Sequence, residues 1–248
     1  MSPRSSHSAC FLWFVLTLTT LALVASSPAA ADTPVACIVP DNGSGTANLP
    51  PLGCGYVSLS PMQIIDGLAP GSTVNCDARI DSFFDIFYLV GGPLGGGVEQ
   101  FHAPLHLDMS GTGTLAGYFR PAFFDVFYEV HEAPRGCCGD VQSFDTDMFY
   151  MQGQLPPGDP DFDLLRITGG SGFGMPSPGH TTLRSTATGW AVDSFFDITY
   201  RIDFVGAPGG AFAGRSGSTT GTIRMQCGTL TPVATENGSW GEVKARYR

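Results

Sequence analysis

The sequence predicts an all-β fold, an antiparallel sandwich or open barrel built from repeated hairpins with low helix content. The first observation is a phrase of the type Ser/Ala-Phe-Phe-Asp-Ile/Val-x-Tyr that occurs three times, at residues 82–88, 122–128 and 194–200. The second is that Gly- and Pro-rich turns follow each copy and lead into another strand-like segment. The third is that no sustained helical stripe occurs beyond the N-terminal segment.

Each copy alternates with the period of a β-strand. One face carries only apolar residues or Tyr, and we expect it to be core in all three copies. Its members are Phe84, Ile86, Tyr88 and Val90; Phe124, Val126, Tyr128 and Val130; and Phe196, Ile198, Tyr200, Ile202 and Phe204. The opposite face is mixed. Pro121 in the middle copy suggests an edge strand there, and residues 164–167 predict a further short strand.

The chain divides into three parts. Residues 1–31 have the features of a signal peptide: Arg4, an apolar run over 11–25, and small residues before Asp32. A retained membrane anchor is the alternative, but the run is short for a span. Residues 32–228 form the predicted repeated-hairpin β domain. Residues 229–248 form a linker and an amphipathic tail, which is either a sorting or docking tag or a terminal segment without that role.

The predicted location is secreted, cell-surface or periplasmic, with no membrane span after signal removal. The formal net charge is −10, and loss of the signal makes it one unit more negative because Arg4 is removed. An acidic surface repels nucleic acid and anionic lipid. The composition therefore argues against nucleic-acid binding.

Six cysteines remain after signal removal, and an even number in an exported chain favours disulfides. Cys37 and Cys54 form the obvious local pair, across a Gly- and Pro-rich loop. Adjacent cysteines cannot easily bond to each other. A metal or redox role for the adjacent pair is the less favoured alternative. The candidates are Cys37, Cys54, Cys76, Cys137, Cys138 and Cys227.

The repeated acids Asp85, Asp125 and Asp197 are weak candidates for a metal site. If the three strands pair, their carboxylates could converge on calcium, which takes several oxygen ligands. The alternative, which the pattern favours, is that they are polar residues on the wetter face. No other cofactor is indicated.

Two further metal motifs are weaker. The acidic run at 159–163 begins like an EF-hand loop, but Leu164 and Gly170 stand where that loop needs Gly and Glu. We expect a surface turn. His102, His106 and Asp108 share a strand face and could ligate zinc, although solvent-facing side chains explain the same pattern.

Catalytic motifs are scarce. The chain has no GxSxG motif, and residues 169–173 lack its last Gly. A pair of carboxylates for glycoside hydrolysis is a tertiary property that the sequence does not settle. The second-face aromatics Phe83, Phe87, Phe123, Phe127 and Phe195 offer a glycan- or protein-binding patch if they are uncovered. Coverage by another sheet is the favoured expectation.

Several segments, at residues 37–46, 179–183 and 200–210, resemble uncharacterised secreted bacterial proteins of planctomycete-like organisms. The three aromatic-acidic strands and the ending Trp240-Gly241-Glu242-Val243-Lys244 with Tyr247-Arg248 are also similar to that group. The resemblance implies export and carries over no catalytic residue.

The sequence favours a non-enzymatic, exported structural or binding β-protein at the cell surface or outside the cell. A glycan or a surface protein is the expected partner. Two alternatives stay open: a secreted hydrolase with acids gathered from separate strands, and a calcium-stabilised β-repeat protein. A cleft with two close carboxylates and a His would favour the hydrolase.

Overall fold

The fold is described from a computed structural model, over residues 37–136 and 139–227. The predicted signal peptide, the tail at 229–248, and Cys137 and Cys138 lie outside these described residues. The prediction of an all-β fold is confirmed. Two short 3-10 turns, Gly113–Leu115 and Ser171–Phe173, are the other regular elements of the described ranges.

The strands are numbered in chain order. They are β1 Cys37–Val39, β2 Tyr56–Ser58, β3 Met62–Ile64, β4 Val74–Ile80, β5 Phe84–Val90, β6 Gly97–Gly111, β7 Phe119–Glu132, β8 Val141–Gln154, β9 Phe162–Gly169, β10 Pro178–Thr186, β11 Gly189–Gly206 and β12 Ser216–Cys227.

All strand pairings are antiparallel, and they join the strands into one curved, sandwich- or open-barrel-like sheet. Its order is β3-β4-β2-β12-β11-β10-β8-β7-β6-β5, with β1 on β11 and β9 beside both β11 and β8. The long β6 has two partners on one side. Residues 97–102 pair with β5, and Leu105–Gly111 pair with β4.

The core lies on the inner face of this sheet. In β7 and β11 the predicted apolar faces are buried: Tyr128 has no exposed surface and Tyr200 is 3% exposed. Each of the three aromatic-acidic strands pairs with the strand that follows it, as the hairpin pattern predicts. The predicted short strand at 164–167 lies within β9.

The prediction of a buried face is wrong for the first copy, because every residue of β5 is exposed or only partly covered. The pairing of β5 with β6 shifts between Phe84 and Phe87, and Asp85 has a positive φ of 50°. This bulge places Phe84 beside His102, at 5.7 Å between ring centroids. Phe83 turns inward instead and contacts Phe101 at 5.4 Å.

The second-face aromatics are not uniformly covered. Phe87 is 65% exposed and Phe123 is 70% exposed, so the expectation that another sheet covers this face is wrong for both. Phe127 and Phe195 are partly buried. Pro121 predicted an edge strand, and the first half of β7 is one. It pairs with β6 on one side, and β8 joins the other side only from Val126 onward, so no strand of the described residues lies there before Val126.

The cysteines divide into two kinds. Cys37 and Cys54 form the predicted disulfide, with their Cα atoms 5.9 Å apart. Cys76 and Cys227 are buried thiols that bond to no described cysteine. Burial raises the pKa of both thiols to about 12, which disfavours the reactive thiolate. No helix in the described part of the chain is long and apolar enough to cross a membrane.

Candidate ligand-binding cleft

A cleft of about 530 Å³ opens between the loop at 40–53 and strand β5. Its volume falls in the range of small-molecule sites. Glu99 of β6 and Arg135, just after β7, lie at its base, and we call it the Glu99 cleft. The remaining lining residues are Asn42, Ser44, Thr46, Ala47, Asn48, Leu49, Pro50 and Leu52 from the loop, with Ile86 and Tyr88 from β5.

The loop wall is fixed by contacts at both ends. The Cys37–Cys54 disulfide closes its base. Asp41 accepts hydrogen bonds from the backbone N–H of Gly43, at 2.6 Å, and from Trp190 Nε1, at 2.8 Å. The Trp190 bond is the main reason that the pKa of Asp41 is lowered. The wall is therefore pre-formed, which reduces the entropy cost of binding a ligand.

Further along the loop, side chains from the sheet hold its backbone. Gln142 Nε2 donates to the carbonyl oxygen of Gly45 at 2.7 Å, and Thr46 Oγ1 donates to Gln142 Oε1 at 2.6 Å. Arg135 Nη1 donates to the carbonyl oxygen of Ala47 at 2.7 Å. Arg135 thus links the loop to the acidic base of the cleft.

Strand β5, which is exposed and not buried as predicted, forms the opposite wall of the cleft. Tyr88 lies directly across from Glu99 in the β5–β6 register and is half exposed. Gly97 leaves room for its ring, since a Cβ there would lie 2.5 Å from Tyr88 Cζ. Partial burial, and then the charge of Glu132, raise the pKa of Tyr88. The phenol therefore stands close to the acidic pair.

The acidic pair consists of Glu99 and Glu132, on the inner faces of β6 and β7. They are 3% and 1% exposed. Arg135 Nη2 donates to both carboxylate oxygens of Glu132, at 3.0 Å each, and lies 3.7 Å from Glu99 Oε1. Glu132 is therefore charge-paired, whereas Glu99 is beyond hydrogen-bonding distance of the guanidinium.

Burial is the main cause that raises the pKa of Glu99 well above its ordinary value, and the negative charge of Glu132 adds to it. Burial also raises the pKa of Glu132, but Arg135 opposes that change. Glu99 is thus the more easily protonated member of the pair. Arg135 compensates the charge of Glu132 at the base of the cleft.

A small inner cavity lies directly beneath the cleft, since Leu49, Pro50 and Glu99 line both. Its volume is about 20 Å³, enough for one water molecule. Glu99 Oε1, Tyr128 Oη, Thr146 Oγ1 and Arg135 Nε have no hydrogen-bond partner among the described residues. Buried polar atoms without partners are costly, so the three of these groups that line the inner cavity, on Glu99, Tyr128 and Thr146, are suited to bind one water molecule.

The candidate calcium ligands are not brought together. Asp125 contacts His102 Nδ1 at 2.7 Å, and Asp197 binds Arg224 through two hydrogen bonds of 2.7 and 2.6 Å. Two strands separate β7 from β11, and Asp85 lies at the β5 bulge. The described residues contain no group of three or more His, Cys, Asp or Glu that could hold a metal ion.

The other two metal motifs are also divided among separate contacts. His106 lies 3.5 Å from Asp81, while His102 binds Asp125, so the two histidines do not share a site. In the acidic run, Asp159 and Asp161 both pair with Arg120. Asp159 also accepts the backbone N–H of Phe162 at 3.0 Å. The run forms a turn closed by an arginine, but it is less exposed than expected, because the Asp159 and Asp161 side chains are only 7% and 17% exposed.

Glu99, Glu132 and Arg135 did not emerge as a site from the sequence. The sequence did contain a hint of this site. Strand alternation puts Glu99 on the same face as the buried Phe101 and Leu105, and Glu132 on the same face as Tyr128. A charged residue on an apolar strand face indicates a buried carboxyl. The pairing of β6 with β7, which brings the two acids together, needed the tertiary structure.

The chain matches no protein-family model, no curated protein and no solved structure. A function is therefore inferred from the cleft itself, from its shape, its polarity and its buried acid.

Proposed function

We propose that this is an exported binding protein that holds an uncharged, hydroxyl-rich ligand, such as a sugar unit of a glycan, in the Glu99 cleft. The observation that carries the proposal is the pre-formed cleft of about 530 Å³, lined by the buried Glu99, the half-exposed Tyr88 and the polar side chains of the loop. Export is supported by the N-terminal signal-like segment and by the Cys37–Cys54 disulfide.

The lining suits a sugar better than an ion. Hydroxyl groups need both donors and acceptors, and the side chains of Asn42, Ser44 and Asn48 supply both. Tyr88 and Ile86 offer an apolar surface to the C–H face of a sugar ring. The charge of Glu132 at the base of the cleft is paired with Arg135, so neither group is free to bind an ion.

The test is calorimetric titration of the purified domain with a panel of neutral mono- and oligosaccharides. We expect at least one to bind, and Tyr88→Ala to weaken its affinity by about tenfold, because about 1.4 kcal/mol of stacking is lost. Phe123→Ala is the matched control, since Phe123 is an exposed aromatic outside the cleft. Absence of binding by every sugar, or equal losses in both variants, would refute the proposal.

A second function is favoured by one observation: two buried carboxyls meet at the base of the cleft. Glu99, held protonated, has the form of a general acid for glycoside hydrolysis. Glu132 is less suited to act as its partner because Arg135 binds both of its carboxylate oxygens. Release of reducing sugar that Glu99→Gln abolishes, without loss of sugar affinity, would establish hydrolysis. Binding without turnover by the wild type would leave the binding function alone.

A further inference from the structure

On the outer face of the sheet, Ser143, His180 and Asp145 are hydrogen-bonded in a row, like the serine, histidine and aspartate of an acyl-transfer triad. Ser143 Oγ is 2.8 Å from His180 Nε2, and His180 Nδ1 is 2.8 Å from Asp145 Oδ1. Ser143 and Asp145 are two residues apart on β8, and His180 is directly opposite Asp145 on β10. The register of two strands thus places all three on one face.

The two ring nitrogens of His180 have different partners, and this fixes their roles. An ionised carboxylate can only accept, so Nδ1 carries the proton that Asp145 accepts. Nε2 of the neutral ring is then left to accept the hydroxyl proton of Ser143, whose oxygen also lies 3.2 Å from Thr182 Oγ1 and can accept that hydroxyl's proton. This is the arrangement in which histidine acts as the general base for a serine nucleophile and a carboxylate orients the ring.

The direction of the Ser143 backbone N–H also matters, because an oxyanion formed during ester cleavage needs a hydrogen-bond donor. Because Ala133 N–H donates to the carbonyl oxygen of Asp145 at 2.9 Å, the backbone groups of Asp145 point toward β7. Backbone direction alternates along a strand, so the N–H of Ser143 points to the same side. The pairing of β7 with β8 ends at Glu132 and Thr146. The Ser143 N–H therefore points to the side of β8 on which the pairing with β7 has ended, which makes it the candidate donor to an oxyanion formed at Ser143.

The surroundings of the triad are open. The His180 and Asp145 side chains are 37% and 81% exposed. Phe195 lies opposite His180 on β11, and the guanidinium of Arg224 lies 4.0 Å from the centre of its ring. Arg224 thus covers one face of the Phe195 ring. An open sheet face without an enclosed pocket suits a short acyl group that projects from a large alcohol, rather than a small free molecule.

We propose that Ser143, His180 and Asp145 hydrolyse short-chain acyl esters carried on a large alcohol. Ser143 Oγ bonds to the carbonyl carbon as its proton passes to His180 Nε2. Collapse of the tetrahedral adduct breaks the bond to the alcohol oxygen, which takes that proton. Water then attacks the acyl-serine and gives a proton to His180, the carboxylic acid leaves, and Ser143 recovers its proton. The site is separate from the Glu99 cleft and does not depend on the function proposed for it.

The test measures hydrolysis of p-nitrophenyl acetate and covalent labelling by a fluorophosphonate, with the labelled peptide identified by mass spectrometry. We expect the wild type to be labelled at Ser143. Ser143→Ala and His180→Gln should each lower the hydrolysis rate by about 100-fold or more. His102→Gln is the matched control, because His102 also contacts an aspartate at 2.7 Å, with no serine on its other ring nitrogen among the described residues.

Equal rates in the wild type and Ser143→Ala, or a wild-type rate no greater than that of buffer, would overturn the proposal. Labelling at a serine other than 143 would overturn it as well. Thermal unfolding of each variant checks the fold, and these surface substitutions should leave Tm nearly unchanged. Sugar affinity of Ser143→Ala should equal that of the wild type, so that failure of this site and failure of the Glu99 cleft are distinguishable.

Discussion

Tyr88 and Tyr128 occupy the same place in two copies of one phrase, yet Tyr128 is fully buried in the core and Tyr88 is half exposed in a cleft. The difference reflects the position of β5 at the edge of the sheet, where β6 is its one neighbour among the described strands. The positive φ of Asp85 turns Phe84 outward, and Phe83 takes the inner position. After this bulge the register pairs Tyr88 with Glu99, so Ile86 and Tyr88 return to the inner side and form a cleft wall there.

The buried and exposed copies differ in their expected contribution to stability. Phe196→Ala should lower the free energy of unfolding by about 3–5 kcal/mol, because Phe196 is 5% exposed in the core. Phe84→Ala should cost less than about 1 kcal/mol, since Phe84 is 43% exposed. Denaturant unfolding of both variants measures the difference. Equal losses would contradict the assignment of the two faces.

The disulfide is expected to stabilise the domain through the unfolded chain. Cys37 and Cys54 are 17 residues apart, and a loop of this length corresponds to about 3 kcal/mol in the chain-entropy model. The double variant Cys37→Ser/Cys54→Ser should lose about that amount in denaturant unfolding. Cys76→Ser is a control that removes a buried thiol without opening a loop. A loss no larger than that of the control would show that the bridge has no stabilising role.

Much of this architecture could be predicted from the sequence, because strand alternation and turn residues are local properties. The faces of β7 and β11, the hairpins and the local disulfide all follow from neighbouring residues. The bulge at Asp85 could not be predicted, because a non-glycine residue gives no local sign of a positive φ. The acidic pair and the triad depend on which strands are neighbours and in what register, and those are long-range properties.

Removing Arg135 should lower the free energy of unfolding, because it leaves the buried Glu132 carboxylate without a counter-charge. Glu132 is 1% exposed and receives two hydrogen bonds from this guanidinium. Arg135→Gln should therefore destabilise the domain by about 3–5 kcal/mol at neutral pH. The matched control is Arg224→Gln, which breaks the exposed pair with Asp197 and should cost less than about 1 kcal/mol. The two variants are compared by denaturant unfolding. Similar costs would indicate that Arg135 does not compensate a buried charge.

Stability should fall as pH rises above the ordinary glutamate value of 4.5. Burial raises the pKa of Glu99 in the folded state, so above pH 4.5 the folded protein binds more protons than the unfolded chain. The free energy of unfolding then decreases with pH until Glu99 ionises in the folded state. Glu99→Gln removes this contribution and should flatten the decline between pH 5 and pH 8. The check is denaturant unfolding of both proteins across that range. Parallel curves for the two proteins would show that Glu99 does not hold a proton on folding.

The most direct measurement is a carbon-detected NMR titration of the glutamate side-chain carboxyls, which are five in the whole chain. One resonance, assigned to Glu99 by its loss in Glu99→Gln, should titrate well above 4.5 and should shift when a bound saccharide is added. A Glu99 carboxyl that titrates near 4.5 and does not respond to any sugar would contradict both the buried neutral acid and the cleft built around it.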